Sequence, residues 1–229
     1  MRNGMVDFHT HILPGIDDGS RKTEESLELL RLERKMGVDT VVLTPHFYAD
    51  ENSPARFLER RSRAWNRLRE QLEPGMPRLL LGAEVQYFEG IGNVEDISSL
   101  CIEGTNLLLL EMPFSHWDDR MLRTVMDLHS YGGVRIVLAH IERYRREQPR
   151  QLWEELRDFG ILAQVNASFF DGFWTGRTAR AMMKARQFQL IGTDCHNLHS
   201  RKPNWDLVPG DAKAYAAKNA RRLLFGSNE

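Results

Sequence analysis

The sequence predicts an α/β fold, specifically a distorted (β/α)7 TIM-like barrel formed by a single domain over residues 1–229. Three observations lead there. Seven short apolar runs alternate with amphipathic stretches, the order expected of a parallel sheet covered by helices. Runs such as Leu107-Leu-Leu-Leu110 are apolar without alternation, as strands buried on both faces are. A chain of 229 residues has the length of one such barrel with a sizeable core. A doubly wound open sheet shares these features and stays open as the alternative.

The first strand begins at Met5 and carries His9 and His11. Thr23 to Ser26 then precede Leu27, Leu30, Met36 and Gly37, the pattern of a capped amphipathic helix with a glycine stop. Asp39 to Thr44 is a β-branched second strand ending in Pro45-His46, and Ser53-Pro54 opens a charged helix that stops near Pro74-Gly75. Arg78 to Tyr87 reads as strand three, followed by a Gly-rich connection with a short helix over Val94 to Leu100. Strand four is Asn106 to Met112, with its helix over Trp117 to Tyr131 and a stop at Gly132-Gly133. Arg135 to His140 is strand five, and Pro149 starts a helix ending at Gly160. Ile161 to Asn166 is strand six, Thr178 to Gln187 a further helix, and Phe188 to His196 strand seven. Asp211 caps a last Ala-rich helix that stops at Gly226.

Charge narrows the function classes. With 31 basic and 32 acidic residues the chain has no general attraction for nucleic acid or for membrane phosphates, so neither is expected as a partner. The apolar run around Leu107 is far short of the roughly 20 residues of a membrane helix. Two cysteines, Cys101 and Cys195, with no signal-peptide-type stretch at the N-terminus, point to a reducing cytoplasm.

The polar residues fall in a pattern. His9 with His11, His46, Glu84, Glu111, His140, and Asp194 with His196 stand at or just past the C-terminal ends of the predicted strands. In a barrel those ends converge on one rim, where active sites are built. His9 and His11 are two apart, as are Asp194 and His196, so each pair leaves one face of its strand. Singly, each has a plainer reading: a carboxylate leaving the core for water, or a core histidine with satisfied hydrogen bonds. Together they read as ligands. Nitrogen and oxygen donors without thiolate suit a catalytic site for Mn, Fe(II) or Zn, and so many donors exceed one ion's needs. Two or three ions bridged by a carboxylate such as Glu84 follow, a device that recurs in phosphoester hydrolysis by metal-bound hydroxide. Arg143 and Arg201, just beyond His140 and His196, are placed to add charge for the transition state.

These residues resemble the polymerase and histidinol phosphatase (PHP) superfamily. The resemblance rests on H-x-H-I-L-P-G-I-D-D-G from His9, T-P-H at 44–46, G-A-E-V at 82–85, L-A-H-I-E-R-Y at 138–144 and T-D-C-H-N at 193–197. Within it they are most similar to bacterial metal-dependent protein-tyrosine phosphatases associated with capsule and exopolysaccharide synthesis. The resemblance implies a PHP barrel with three ions, commonly manganese. One would be held by His9, His11, Glu84 and Asp194, a second by Glu84, Glu111 and His140, and a third by His46, His196 and Asp18. Arg143 and Arg201 would bind the phosphate, with Asp18 counted beside them among the catalytic groups. The substrate would be phosphotyrosine in a protein, with a tyrosine-rich kinase tail as the expected partner. Asp17, in Ile16-Asp-Asp-Gly19, reads as a turn residue. Residues 1–4 read as an extension upstream of the motif, and Cys195 stands where a smaller residue is more usual.

Rival readings are a small-molecule phosphatase, such as one for histidinol phosphate, a nuclease of the same superfamily, and a non-catalytic metal-binding module. Cys195 and Arg201 also form C-x5-R, the spacing of cysteine-dependent tyrosine phosphatases, but without glycine in the loop or a helix after it. Phe169, Phe170, Phe173 and Trp174 are candidates to line the mouth and hold an aromatic leaving group. Of the remaining histidines His199 is closest to this chemistry, because it lies in the Arg201 loop.

Overall fold

A run of four leucines has no polar face, so it is stable only with protein on both sides of the sheet. The computed structural model, which describes residues 4–226, shows this arrangement. In strand β6 (Leu107–Glu111) Leu108 and Leu110 join the larger core under the helices, while Leu107 and Leu109 join a second core inside the curled sheet. Each such leucine contributes about 1.5–3 kcal/mol by leaving water.

All described strands pair in parallel. β1 (Met5–Thr10), β2 (Val38–Leu43) and β4 (Arg78–Leu81) form one sheet. β3 (His46–Phe47), β5 (Glu84–Gln86), β6, β7 (Arg135–Leu138), β8 (Leu162–Asn166) and β9 (Leu190–Gly192) form another. The division is an interruption rather than a boundary. Pro45 has no N–H for the ladder, so β2 and β3 are one stave broken at Thr44-Pro45, and β4 and β5 are one stave broken at Gly82-Ala83. The bonds Gly82 N–H to Leu43 O (2.8 Å) and Glu84 N–H to Pro45 O (3.0 Å) carry the pairing across both breaks. At the far edge, Asp194 N–H donates to His9 O (2.8 Å) and His11 N–H to Cys195 O (2.9 Å), so the last strand returns to the first. Seven staves, curled and closed, are the expected distorted barrel.

The helices are α1 (Thr23–Lys35), α2 (Pro54–Arg69), α3 (Asp119–Tyr131), α4 (Arg150–Phe159), α5 (Phe173–Lys184) and α6 (Gly210–Phe225). Ser53 caps α2 by accepting from Arg56 N–H, and Asp118 caps α3 by accepting from Met121 N–H. Two expected caps are corrected. Thr23 and Asp211 lie inside their first turns, where Asp211 and the acids after Thr23 favour the helix through its dipole. α2 ends at Arg69, short of Pro74, and the expected helix over Val94 to Leu100 is a 3-10 turn at Ile97–Leu100. α5 starts at Phe173, five residues before the expected Thr178, because Gly172 (φ +77°) turns the chain directly into it. No helix among the described residues is long and apolar enough to cross a membrane.

Candidate metal centre

The C-terminal ends of the staves deliver all nine expected donors to one basin. His9 and His11 come from β1 and its exit, Asp18 from the loop after it, His46 from β3, Glu84 from β5 and Glu111 from β6. His140, Asp194 and His196 follow β7 and β9. Glu84, 1% exposed, is the hub. Its Oε2 lies 3.2 Å from His9 Nε2, 3.3 Å from His11 Nε2 and 3.0 Å from His46 Nδ1. Its Oε1 lies 3.0 Å from His140 Nε2, which is also 3.2 Å from Glu111 Oε1. Asp18 Oδ1 approaches His196 Nε2 (3.4 Å) and His46 Nε2 (3.6 Å). Three overlapping groups have ligand atoms close enough to share an ion: His9, His11 and Glu84; His46, Glu84 and Glu111; and His11, Asp18, His46 and His196. The third includes His11, which the expected division gave to the first ion alone; the second has His46 where His140 was expected, and the first lacks Asp194.

Hydrogen bonds behind the rings fix the tautomers. His9 Nδ1 faces Gln164 Oε1 (3.3 Å), His11 Nδ1 faces Asp17 Oδ2 (2.8 Å) and His196 Nδ1 faces Asp194 O (2.9 Å). Each partner only accepts, so each Nδ1 carries a hydrogen and each Nε2 is the nitrogen left to take a cation, a proton in the bare protein or a metal ion in its place. The Nε2 atoms of His9 and His11 are 3.1 Å apart. Two lone pairs at that distance repel unless a cation lies beside them. His196 Nε2 and His140 Nδ1 are buried with no hydrogen-bond partner among the described residues. This donor set fits a cluster of divalent ions.

The same crowding sets the titration of the bare protein. Burial would raise Glu84, but the imidazoles around it, His9 foremost, hold it well below the usual carboxylate range. Burial opposes charge on His11, yet Asp17, Asp194 and Glu84 drive it well above the ordinary imidazole value. His140 is pushed up to about 9 by Glu111 and Glu84 against its burial. His196 is lowered to about 4 by burial and by the charge of His11. Backbone strain concentrates here too. His140 (φ +30°) and Asp194 (φ +54°) occupy the left-handed region, a cost accepted where ligands must be aimed.

Arg143 and Arg201 meet at the mouth. Asp194 Oδ2 accepts from Arg143 Nη2 (2.6 Å), Asn166 Nδ2 (2.9 Å) and pairs with Arg201 Nη2 (2.7 Å), while its Oδ1 faces His9 and His11. Both arginines are more than a third exposed, so N–H groups remain for an anion from solvent. The Cys195 thiol faces inward instead. It is fully buried, points at Glu33 Oε1 (4.0 Å) and has its pKa raised well above the ordinary thiol value by burial and by Glu33 and Asp7. No helix opens after it. The C-x5-R reading fails on geometry: this sulfur is fully buried and turned toward Glu33, with no helix N-terminus behind it to favour a thiolate.

Several working residues escape the sequence reading. Asp17 is a turn residue, accepting from Gly19 N–H (3.0 Å), but its other oxygen also accepts from His46 N–H (3.0 Å) and orients His11. Gln164 and Asn166 form a relay from His9 to Asp194, and Gln164 Oε1 also accepts from His140 N–H (2.8 Å). Two amides at period two in an otherwise apolar strand were the available signal. Asp7, on β1, accepts from Thr193 N–H (2.9 Å) and Trp205 Nε1–H (3.2 Å), tying β1 to the Asp194 segment. Of the aromatics expected at the mouth, Phe169 is partly buried against the core. Phe170 is buried against Phe188, and Phe173 and Trp174 are exposed and pack on each other. Among the described residues, the rings stacked parallel on ligand imidazoles from the mouth are Tyr48 on His46 and Phe114 on His140. His199 lines a cavity of about 270 Å³ beside Asp18, whereas His116 and His129 hydrogen-bond elsewhere.

Tyrosine-protein phosphatase YwqE of Bacillus subtilis (strain 168) is 30% identical over 210 residues, covering 86% of this chain and 79% of the relative. Tyrosine-protein phosphatase CpsB of Streptococcus pneumoniae is 30% identical over 242 residues, covering 96% and 95%. A crystal structure from work on those two proteins, described there as unique metal-dependent tyrosine phosphatases, superposes with a TM-score of 0.80 at 25% identity, covering 97% of this chain and 95% of that one. An amidohydrolase from Mycoplasma synoviae, at TM-score 0.58 and 12% identity over 96% of this chain and 87% of that one, shares the fold alone. Residues 5–228 match the family described as "Capsular polysaccharide synthesis, CpsB/CapC", and the chain belongs to that family.

Proposed function

We propose that the protein is a metal-dependent phosphatase that hydrolyses phosphotyrosine in proteins, in the cytoplasm, within the regulation of capsule or exopolysaccharide synthesis. The observation that carries this is the bare Nε2 pair of His9 and His11, 3.1 Å apart and facing Glu84, with two part-exposed arginines at its mouth. His9, His11, Glu84 and Asp194 would hold one ion, Glu84, Glu111 and His140 a second, and His46, His196 and Asp18 a third, with manganese first and iron or zinc as alternatives. Divalent ions held there would supply hydroxide at neutral pH and positive charge against the phosphoryl oxygens.

The chain's own groups do the rest. Gln164 and Asp17 keep the His9 and His11 Nε2 lone pairs turned inward. Arg143 and Arg201, already converged on Asp194, offer their outer N–H groups to the phosphate in the fork geometry guanidinium provides. As the bond from phosphorus to the phenolic oxygen breaks, that oxygen needs a proton. Asp18, 66% exposed where Glu84 and Asp194 are buried, marks the side of the basin open to the water that would supply it. The physiological substrate we infer is a phosphotyrosine protein, with a tyrosine kinase tail as the form the family resemblance suggests.

The test is matched turnover of a phosphotyrosine peptide, histidinol phosphate and single-stranded DNA by manganese-loaded protein, with metal content measured alongside. Peptide turnover should exceed the other two and vanish with chelator. Peptide turnover far below the others overturns the substrate assignment, and bound metal without hydrolysis of any of the three favours a non-catalytic module.

A further inference from the structure

Tyr48 and Phe114 stand at the mouth with no part in the scheme above. Tyr48 stacks on the His46 imidazole, ring centroids 5.0 Å apart and planes 21° from parallel. Phe114 stacks on His140 at 6.0 Å and 13°. His46 and His140 address opposite oxygens of the Glu84 carboxylate, each at 3.0 Å. The two aromatic rings are therefore one layer outward from the ligands that flank a single carboxylate, on either side of the hub.

Phe114 is 58% exposed, yet it is held. Its ring leans on Tyr144 at 5.2 Å, and Tyr144 is fully buried, packs edge-on against Trp117, and accepts from Met112 N–H (3.2 Å). Pro113 restricts the backbone just before it. An apolar ring fixed in water beside a reaction centre is preorganised to be covered, and its ordering entropy is already spent. A planar partner gains offset-stacked or edge-to-face contacts there that an alkyl chain does not.

We propose that Tyr48 and Phe114 bracket the phenyl ring of the substrate, so that this site selects aryl over alkyl phosphates. The proposal rests on the phosphatase reading and adds to it the residues that read the leaving group. Phosphorus reaches the Glu84 hub between Arg143 and Arg201, while the phenyl ring, one ester oxygen away, lies in the layer that the two aromatics occupy.

The experiment uses manganese-loaded full-length protein, with phosphotyrosine peptide turnover and with inhibition by phenylphosphonate and methylphosphonate, which cannot be hydrolysed. Tyr48→Ala and Phe114→Ala should each weaken phenylphosphonate by ~10-fold, while methylphosphonate shifts by less than ~3-fold. Phe114→Trp should recover most of the loss, which a purely structural role for Phe114 does not predict. If both phosphonates weaken equally, or neither changes, the bracket is wrong although hydrolysis stands. If the wild-type protein turns over no phosphotyrosine peptide, the underlying reading falls and the bracket with it.

Discussion

Asp17→Asn tests the claim that a residue outside the donor set controls the centre. The Asp17 carboxylate, 4% exposed, serves three donors with two oxygens: His11 Nδ1–H and His46 N–H on Oδ2, and Gly19 N–H on Oδ1. Burial would raise its pKa, but the charge and hydrogen bond of His11 outweigh this and hold the group ionised. Asparagine keeps the shape with one acceptor. If its oxygen stays on His11 and His46, the NH2 group meets Gly19 N–H head-on. If it flips, His11 must move its hydrogen to Nε2 and lose the lone pair aimed at Glu84. Either way one charge-assisted bond is lost, about 1.5–3 kcal/mol. That is ~10- to 100-fold in metal affinity, the usual cost of losing a partner behind a ligating histidine. Titration calorimetry with Mn²⁺ measures it, and thermal unfolding with and without Mn²⁺ separates lost affinity from lost fold. Wild-type affinity to within ~2-fold, in a normally folded variant, would refute the tautomer argument.

Four further outcomes follow from the geometry. Arg143→Lys and Arg201→Lys keep the charge but lose the planar fork, and each should lower kcat/KM on phosphotyrosine peptide by ~10- to 100-fold in steady-state assays. Cys195→Ser should keep activity within a few-fold, because the thiol is buried against Glu33; complete loss would revive the thiolate mechanism. Burial and Arg135 lower the pKa of His129, so the unfolded chain takes up this proton first and stability drops as pH falls below about 6.5. His129→Gln should therefore make the fall in melting temperature between about pH 7 and 5 shallower. Finally, a Cβ on Gly192 would lie 2.5 Å from His9 Cβ and 2.8 Å from His9 N, so Gly192→Ala should cost at least ~1–3 kcal/mol in urea unfolding and weaken Mn²⁺ binding.

The strands were legible because burial on both faces leaves an unbroken apolar run, and the donors were legible because they interrupt such runs at one end. Less visible was whatever depends on a single residue's backbone. The break at Gly82 left no gap in apolar character, so β4 and β5 read as one strand, whereas Pro45-His46 read as the end of strand two and the pairing beyond it was missed. The start of α5 was hidden by Phe173 and Trp174, which carry no helix-start signal beyond the glycine before them. Left-handed His140 and Asp194 could not be anticipated: both residue types tolerate that conformation better than most, but neither announces it at a given position. The supporting shell was missed for a different reason. Asp17 has two oxygens with separate jobs, and sequence composition announces only the turn. Gln164 and Asn166 read only as part of strand six, although they join His9 to Asp194.

The bonds from Asp194 N–H to His9 O and from His11 N–H to Cys195 O join the first strand to the last at the centre of the site. During synthesis His9 emerges early and waits for residues almost two hundred positions later before its counterpart exists. Such a distant pairing forms late, after the loop entropy of nearly the whole chain has been overcome. An ion shared by His9 and Asp194 would tie this closing strand to the first, coupling its uptake to completion of the barrel.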